Sequence, residues 1–324
     1  MSISVVFPLL PINKKQNLLL LSHKHESQRY VPVSLTFACG KRVFVAGRQI
    51  CDSKQFVFLQ QRAMQDRHQN RRQYFDELAD TSEKYFIPYI ETATSIKWED
   101  AHILEIGCGE GGNLLPFARR GSKVCGVDMD ILRIEQARTY FEESQAEGTF
   151  IASDIFELRE LRHQFDLILV HDVIEHIADK RGFMEKTRQY LAPGGIIFVG
   201  FPAWQMPFGG HQQIAHSRIV SHLPFVHLLP RFLYKYVLQL AGESNAMIAY
   251  LIDVKETGTT IEMFQKIVGE TGYSIVDRRL YFVNPHYEIK FGLRPRVLSP
   301  LVARIPWLRN FFSTTCFYLL REKI

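Results

Sequence analysis

Glycines at 107, 109, 111 and 112 follow a short apolar run, Ile103 to Ile106, which carries one carboxylate, Glu105. A strand that turns sharply into a helix aims backbone N–H groups and the positive helix end at whatever lies above the turn. Glycine there lets a ligand approach the backbone with no Cβ in the way. The chemistry this suits is binding of a small, polar, nucleoside-like ligand. Gly107, Gly109 and Gly112 also satisfy the G-x-G-x-x-G pattern of dinucleotide sites. Glu105 argues against a dinucleotide: it repels a pyrophosphate and attracts a ligand carrying a cationic amine or sulfonium.

A second set of reactive side chains lies further on, with His171, Asp172 and His176 after a later apolar run and His211 and His216 beyond Phe208. Histidines and carboxylates so placed can act as a general base. Gly209 and Gly210 make a flexible turn before His211; the alternative is a polar loop with incidental histidines. His176 reads as a packing or capping residue. No metal site is expected, because His176, His211 and His216 have no ligand spacing.

Positioning these groups requires strands. Lys123 to Asp128 reads as a second buried strand ending in an acid, and Asp128 lies 21 residues past Gly107. That spacing suits a carboxylate at the next strand tip that accepts both hydroxyls of a ribose. Ile131 to Glu143 follows with helical periodicity. Thr149 to Asp154, Phe165 to Asp172 and Gly194 to Phe201 read as further strands, with a helix near 180–192 before the last. Alternation at this pitch predicts a parallel sheet with right-handed crossovers and a ligand at the strands' carboxyl ends. The alternative reading of Asp128 and Asp154 is a strand-end acid capping the following helix.

Ahead of these strands, Tyr74, Phe75, Leu78 and Ala79 form a helical stripe, and Tyr85 to Ile96 predicts another helix. Residues 1–55 read as a poorly ordered extension with two unpartnered strand-like pieces, Val31 to Phe37 and Val43 to Ala46, and Met64 is a plausible alternative start. The remainder, 56–324, reads as one domain with a ligand-binding core at 70–202.

Composition narrows the class. The 324 residues hold five cysteines without metal spacing, which suits neither zinc nor a disulfide framework and fits a reducing, cytosolic compartment. Residues 1–60 carry eight Lys/Arg against two Asp/Glu, and residues 290–324 seven against one. Each end is thus +6, and the overall +5 leaves −7 for the middle. An acidic middle between basic ends does not describe a nucleic-acid binder. The basic ends suit a membrane surface or an anionic acceptor, or are simply solvated.

The motifs Leu104 to Gly111, Gly126-Val-Asp128, Ser153-Asp154, Phe165 to Asp172 with Val173-Ile-Glu-His176, and Leu191-Ala-Pro-Gly-Gly195 occur in order. Together they resemble the class I S-adenosylmethionine-dependent methyltransferases, of the broad group that includes quinone-biosynthesis and small-molecule enzymes. The resemblance covers roughly residues 70–202. It implies a Rossmann-like α/β sheet of seven strands in the order 3-2-1-4-5-7-6, with strand 7 antiparallel and a mostly helical insertion after strand 5. Ser274 to Val283 and Ser313 to Leu320 would be strands six and seven. The resemblance assigns Glu105 and the backbone of Gly107, Cys108 and Gly109 to the methionine end of the cofactor. It gives Asp128 to the ribose, Met129 to the adenine face, Asp154 and Ile155 to the adenine edge, and the backbone carbonyl of His171 to the amine.

Catalysis would fall to His211, His171 or Asp172. The acceptor would be a small molecule, glycan or lipid-linked hydroxyl bounded by residues 202–256 and 284–312. Within the first segment, Phe232, Leu233, Tyr236, Val237, Leu240 and Ala241 share one helical face opposite Arg231, Lys235 and Gln239. This helix reads as a lid packed on the core, or as a membrane-surface contact; the basic C-terminal region is a second such contact. Two other functions stay open: a nicotinamide-dependent oxidoreductase, disfavoured by Glu105 and Asp154, and a cofactor-binding scaffold without catalysis. Nothing in the pattern bears on oligomeric state.

Overall fold

The computed structural model describes residues 70–158, 161 and 164–323, together with the backbone of three short strands nearer the N-terminus. Those strands, β1 (Thr36–Cys39), β2 (Arg42–Val45) and β3 (Arg48–Asp52), pair in order as an antiparallel sheet. Of the two strand-like pieces expected there, Thr36–Phe37 and Val43–Val45 lie in β1 and β2 and so find partners in one another and in β3; Val31 to Leu35 lie outside the described residues. The rest of the expected 1–55 extension lies outside the described residues.

The main sheet contains β4 (His102–Ile106), β5 (Lys123–Asp128), β6 (Thr149–Ala152), β7 (Phe165–His171), β8 (Leu191–Phe201), β9 (Tyr273–Val283), β10 (Arg296–Val297) and β11 (Thr315–Glu322). Its order is β10-β9-β11-β8-β7-β4-β5-β6. The expected 3-2-1-4-5-7-6 order is present, and β11 runs antiparallel to both β8 and β9. The difference is an eighth strand, the two-residue β10, added antiparallel to the outer edge of β9. It covers an edge that would otherwise present unpaired backbone groups.

Both faces of the central strands β4, β7 and β8 are buried, which is why these strands read as continuous apolar runs rather than alternating ones. Within β7, Ile168 and Val170 join one core with Phe183, Phe201 and Phe264, whereas Leu167 and Leu169 join another with Phe75, Phe86 and Phe198. Burying each such side chain contributes about 1.5–3 kcal/mol.

Two helical segments expected before β4 form one irregular helix: Arg71–Thr81, a π-helical turn Ser82–Phe86, and Ile87–Glu91. Pro88 has no N–H to continue the ladder, and just before it the Ile87 N–H reaches back to the Ser82 carbonyl. The wider turn seats Phe86 on the His171 ring, with centroids 4.8 Å apart. The Ser82 hydroxyl donates to the Asn113 carbonyl at 2.9 Å and ties this helix to the glycine turn.

The amphipathic helix Arg231–Leu240 departs from expectation. Its buried residues are Tyr234 and Leu238, while Phe232 and Leu240 are each 70% exposed and Tyr236 is 57% exposed. Tyr234 and Leu238 pack with Val220, Ile248 and Leu251 in a satellite core separate from those of the sheet. The helix therefore leans on its neighbour Asn245–Thr257 rather than on the main core; Val237 and Ala241 pack against this satellite core, while Phe232, Leu233, Tyr236 and Leu240 remain exposed.

Candidate active site

The glycine-turn end of the candidate site is built from strand tips. β4 ends at Ile106, and Gly107 turns the chain with φ +73°, its N–H donating to the Val127 carbonyl at 2.7 Å. A Cβ at Gly107 would come within 2.4 Å of Val173 Cγ2, so only glycine fits both the angle and the space. Gly109 is also left-handed, φ +52°, but a Cβ there meets only Arg133 Nη1, at 3.8 Å. The backbone at Gly109 thus borders open space beneath a guanidinium.

Glu105 lies on the central strand and is 1% exposed. Its Oε1 accepts from Asn113 Nδ2 at 2.7 Å, and Oε2 has no partner. Burial pushes its carboxyl up to about 8; the Asn113 hydrogen bond opposes the shift and the Asp128 charge adds to it. A buried carboxylate with an unused oxygen favours a cation above it.

Asp128 ends β5. Its Oδ2 accepts from the Gly109 N–H at 2.8 Å and its Oδ1 from the Asp130 N–H at 2.9 Å. The following helix Ile131–Glu143 is capped instead by Asp130, whose side chain accepts from Leu132 N. The capping alternative for Asp128 therefore fails, because another residue does that work. Asp154 sits two residues past β6 and accepts from the Phe156 N–H at 2.9 Å, closing a turn rather than opening a helix. Met129, beside Asp128, is 76% exposed, whereas Ile155 is buried.

The histidine-rich end of the candidate site begins where β7 stops. The His171 ring is buried against Phe86 and Phe317, with Nδ1 3.6 Å from Asp172 Oδ2. Asp172 has φ +53°, a strained angle for a non-glycine residue. Burial and then the Asp172 charge push the Tyr287 hydroxyl up to about 12, and the same two causes raise Tyr74 further. Tyr74 comes from the first helix and Tyr287 from helix His286–Phe291, inside the 284–312 excursion. Asp172 thus has tyrosines from opposite ends of the chain around it.

After Asp172 a short 3-10 turn, Ile174–His176, places Glu175 inward at 3% exposure, with neither carboxylate oxygen hydrogen-bonded. His211, from the loop after β8, adopts φ +56° and brings its ring to 5.0 Å from that of His176. Burial and the His176 charge lower His211 to about 4, against an upward pull from Asp172. Ligand atoms of Glu175, His176 and His211 all lie within 4.8 Å of one another. His216 does not join them; its Nδ1 lies 3.3 Å from Glu243 Oε2.

Three participants were not singled out from the sequence. Glu175 is adjacent to His176 just past a strand tip, and that pairing was the available signal. Arg133 carried no local signal and Tyr287 only its place among the aromatics of the 284–312 excursion, because their position depends on how distant segments fold over the tips.

Residues 103–195 match the family model described as a methyltransferase domain. The ubiquinone biosynthesis O-methyltransferase of Chelativorans sp. (strain BNC1) is 40% identical over 102 residues, covering 32% of this chain and 40% of that protein. The protein of the same description from Rhizobium etli (strain CIAT 652) is 34% identical over 126 residues, covering 39% of this chain and 51% of that one. This chain thus spans about two fifths to one half of the length of these curated relatives. A solved structure of a putative sarcosine dimethylglycine methyltransferase from Galdieria sulphuraria aligns with a TM-score of 0.49 at 13% identity, over 74% of this chain and 85% of that one. Residues 103–195 are thus similar to methyltransferase domains, among them those of O-methyltransferases.

Proposed function

We propose that this chain moves the methyl group of S-adenosylmethionine to an oxygen of a small-molecule or lipid-linked acceptor. The observation that carries the reading is Glu105: a buried carboxylate with an unused oxygen, under a glycine turn and on the strand beside β5, which ends in Asp128, with Asp154 just past β6 beyond it. A cationic amino acid joined to a nucleoside matches that row of groups. A pyrophosphate does not, which disfavours the nicotinamide alternative.

In this reading Glu105 and the Gly107–Gly109 backbone hold the methionine end, and the His171 carbonyl meets its amine. Asp128, already oriented by two backbone N–H groups, takes the ribose. Met129 covers the adenine, and Asp154 and Ile155 meet its edge. The cofactor supplies a methyl group on a sulfonium that is already a good leaving group. What remains for the chain is to align the acceptor, exclude water and dispose of a hydroxyl proton. His211, Asp172 and His171 are the residues for the last task. His211 is neutral at physiological pH and available, and the Asp172 charge would stabilise it once protonated. Acceptance at oxygen is supported by the relatives' description as O-methyltransferases.

Equilibrium binding of S-adenosylmethionine against NAD, followed by transfer of a labelled methyl group to candidate hydroxyl acceptors, tests the reading. Saturable binding of the former alone is expected; preferential NAD binding would end it. Binding without transfer to any acceptor would favour the scaffold alternative.

A lipid-linked acceptor is supported by the exposed Phe232, Tyr236 and Leu240 beside Arg231 and Lys235, and by Leu301 and Trp307, 75% and 60% exposed, near Arg304. Among the described residues no helix is long and apolar enough to cross a membrane, so contact through these residues would be peripheral. Co-sedimentation with anionic vesicles is the expected outcome at low salt.

A further inference from the structure

We propose that Arg133 binds the carboxylate at the methionine end of the cofactor and so selects the intact cofactor over a nucleoside that lacks this group. The assignment rests on the methyl-transfer reading and deepens it. S-adenosylmethionine carries two positive groups, the sulfonium and the amine, and one negative group, the carboxylate. Glu105 under the turn suits the amine but repels the carboxylate, as do Asp128 and Asp172. The carboxylate needs a cation of its own near the glycine turn.

Arg133 is placed to supply it. It lies in the first turn of helix Ile131–Glu143, five residues past Asp128. Its Nη1 stands 3.8 Å from where a Cβ at Gly109 would be, over backbone otherwise open to a ligand. The Nε is buried and has no hydrogen-bond partner; its contact with Asp130 Oδ2, at 3.4 Å, is an ion pair only. Asp130 meanwhile accepts the Leu132 N–H on Oδ1 at 3.0 Å. Both side chains of that pair are exposed, so it contributes little and a ligand carboxylate can replace it. The guanidinium charge also acts on Tyr74 of the first helix and on Tyr250 of helix Asn245–Thr257, opposing the upward push of burial on both hydroxyls. Arg133 therefore lies near the segment before the glycine turn and near the insertion after β8, where the two close on the ligand.

The neighbouring arginines are engaged elsewhere. Arg71 Nη1 lies 3.2 Å from the buried Glu110, Arg72 pairs with Asp76 and Glu143, and Arg138 donates to the Phe150 carbonyl at 2.6 Å. Arg133 keeps a planar fork of donors, which matches a carboxylate with two parallel hydrogen bonds.

The test measures equilibrium binding of three probes to the full chain: S-adenosylmethionine, its decarboxylated analogue, and methylthioadenosine, which lacks the amino acid altogether. Wild type should bind the first at least about tenfold more tightly than the second. Arg133→Gln should weaken S-adenosylmethionine about 10- to 150-fold, the worth of a hydrogen bond to a charged group, and leave the other two probes within about twofold. Arg133→Lys should recover part of the loss, because it keeps the charge and gives up the fork. Equal weakening of all three probes, or unchanged binding of S-adenosylmethionine, overturns the assignment and leaves the methyltransferase reading standing. A raised acceptor KM with cofactor affinity intact overturns it too, by moving the guanidinium to the acceptor. Wild type that binds no S-adenosylmethionine overturns the assignment together with the function proposed above.

Discussion

Between Glu105 and Ile155, about fifty consecutive residues place all the proposed cofactor groups except His171 through three neighbouring strand tips. On the acceptor side, Tyr74, Asp172, Glu175, His211 and Tyr287 span more than two hundred positions and meet only because helices and loops fold back over those tips. The two ends also differ in material. The donor end is mostly backbone and carboxylate, fixed by parallel register such as Glu105 opposite Gly126 and Asp128 opposite Ala152. The acceptor end is side chain on excursion, with its histidine held by a strained loop. A site built from register tolerates little change, whereas one built on excursions can be altered without disturbing the sheet.

The largest effect should come from breaking the donor turn itself. Gly107→Ala forces a Cβ into Val173 and a side chain into φ +73°, costing about 1–3 kcal/mol for each of the two conflicts. Calorimetry should show cofactor binding lost and thermal unfolding should come earlier. The added change Val173→Ala should recover part of the loss by relieving the overlap.

Asp128→Ala comes next. Hydrogen bonds to a charged group contribute about 1.5–3 kcal/mol, so affinity should fall about 10- to 150-fold while the acceptor KM stays put. Unaltered cofactor affinity in that variant would show that the ribose acid lies elsewhere.

A smaller, continuous effect should follow pH. Glu105 titrates near 8 in the folded chain against an ordinary 4.5, so the native state holds a proton that the unfolded state has lost. Its contribution to stability therefore falls as pH rises from about 4.5 to about 8. Binding of a cationic ligand requires the ionised form, so cofactor affinity should tighten over the upper part of the same window, by at most about tenfold per unit. Buffer-dependent heats would reveal the released proton. Glu105→Gln should flatten the profile; a slope that persists in it would place the titrating group elsewhere.

The smallest effect belongs to the outer face. Replacing Phe232 and Leu240 with Ser should leave stability within about 0.5 kcal/mol, as for other exposed positions. Vesicle co-sedimentation should nevertheless fall. Equal retention on vesicles would remove this helix from the membrane reading.

The sheet could be read in advance because its strands are buried on both faces and interrupted by acids and glycines at regular intervals. Asp128 and Asp154 were legible for the same reason, each being the first acid after an apolar run. The helix Arg231–Leu240 was legible as a helix but not in its packing. Periodicity reports an apolar stripe, and whether that stripe meets the core depends on where neighbouring segments run. His211 was visible as a histidine after two glycines. Its partner could not be chosen, since His216 is nearer in sequence while Glu175 is nearer in space.

The sequence by itself determined the order of the strands, the glycine turn and the acids at the tips, because these depend on local pattern and a fixed crossover hand. Only the tertiary structure decided that Asp130 and not Asp128 caps the helix, that Tyr74 and Tyr287 share the field of Asp172, and that Glu175 is buried beside two imidazoles. Those relations arise from contacts across long stretches of chain. There the geometry of packing, and not the spacing of residues, sets which groups meet.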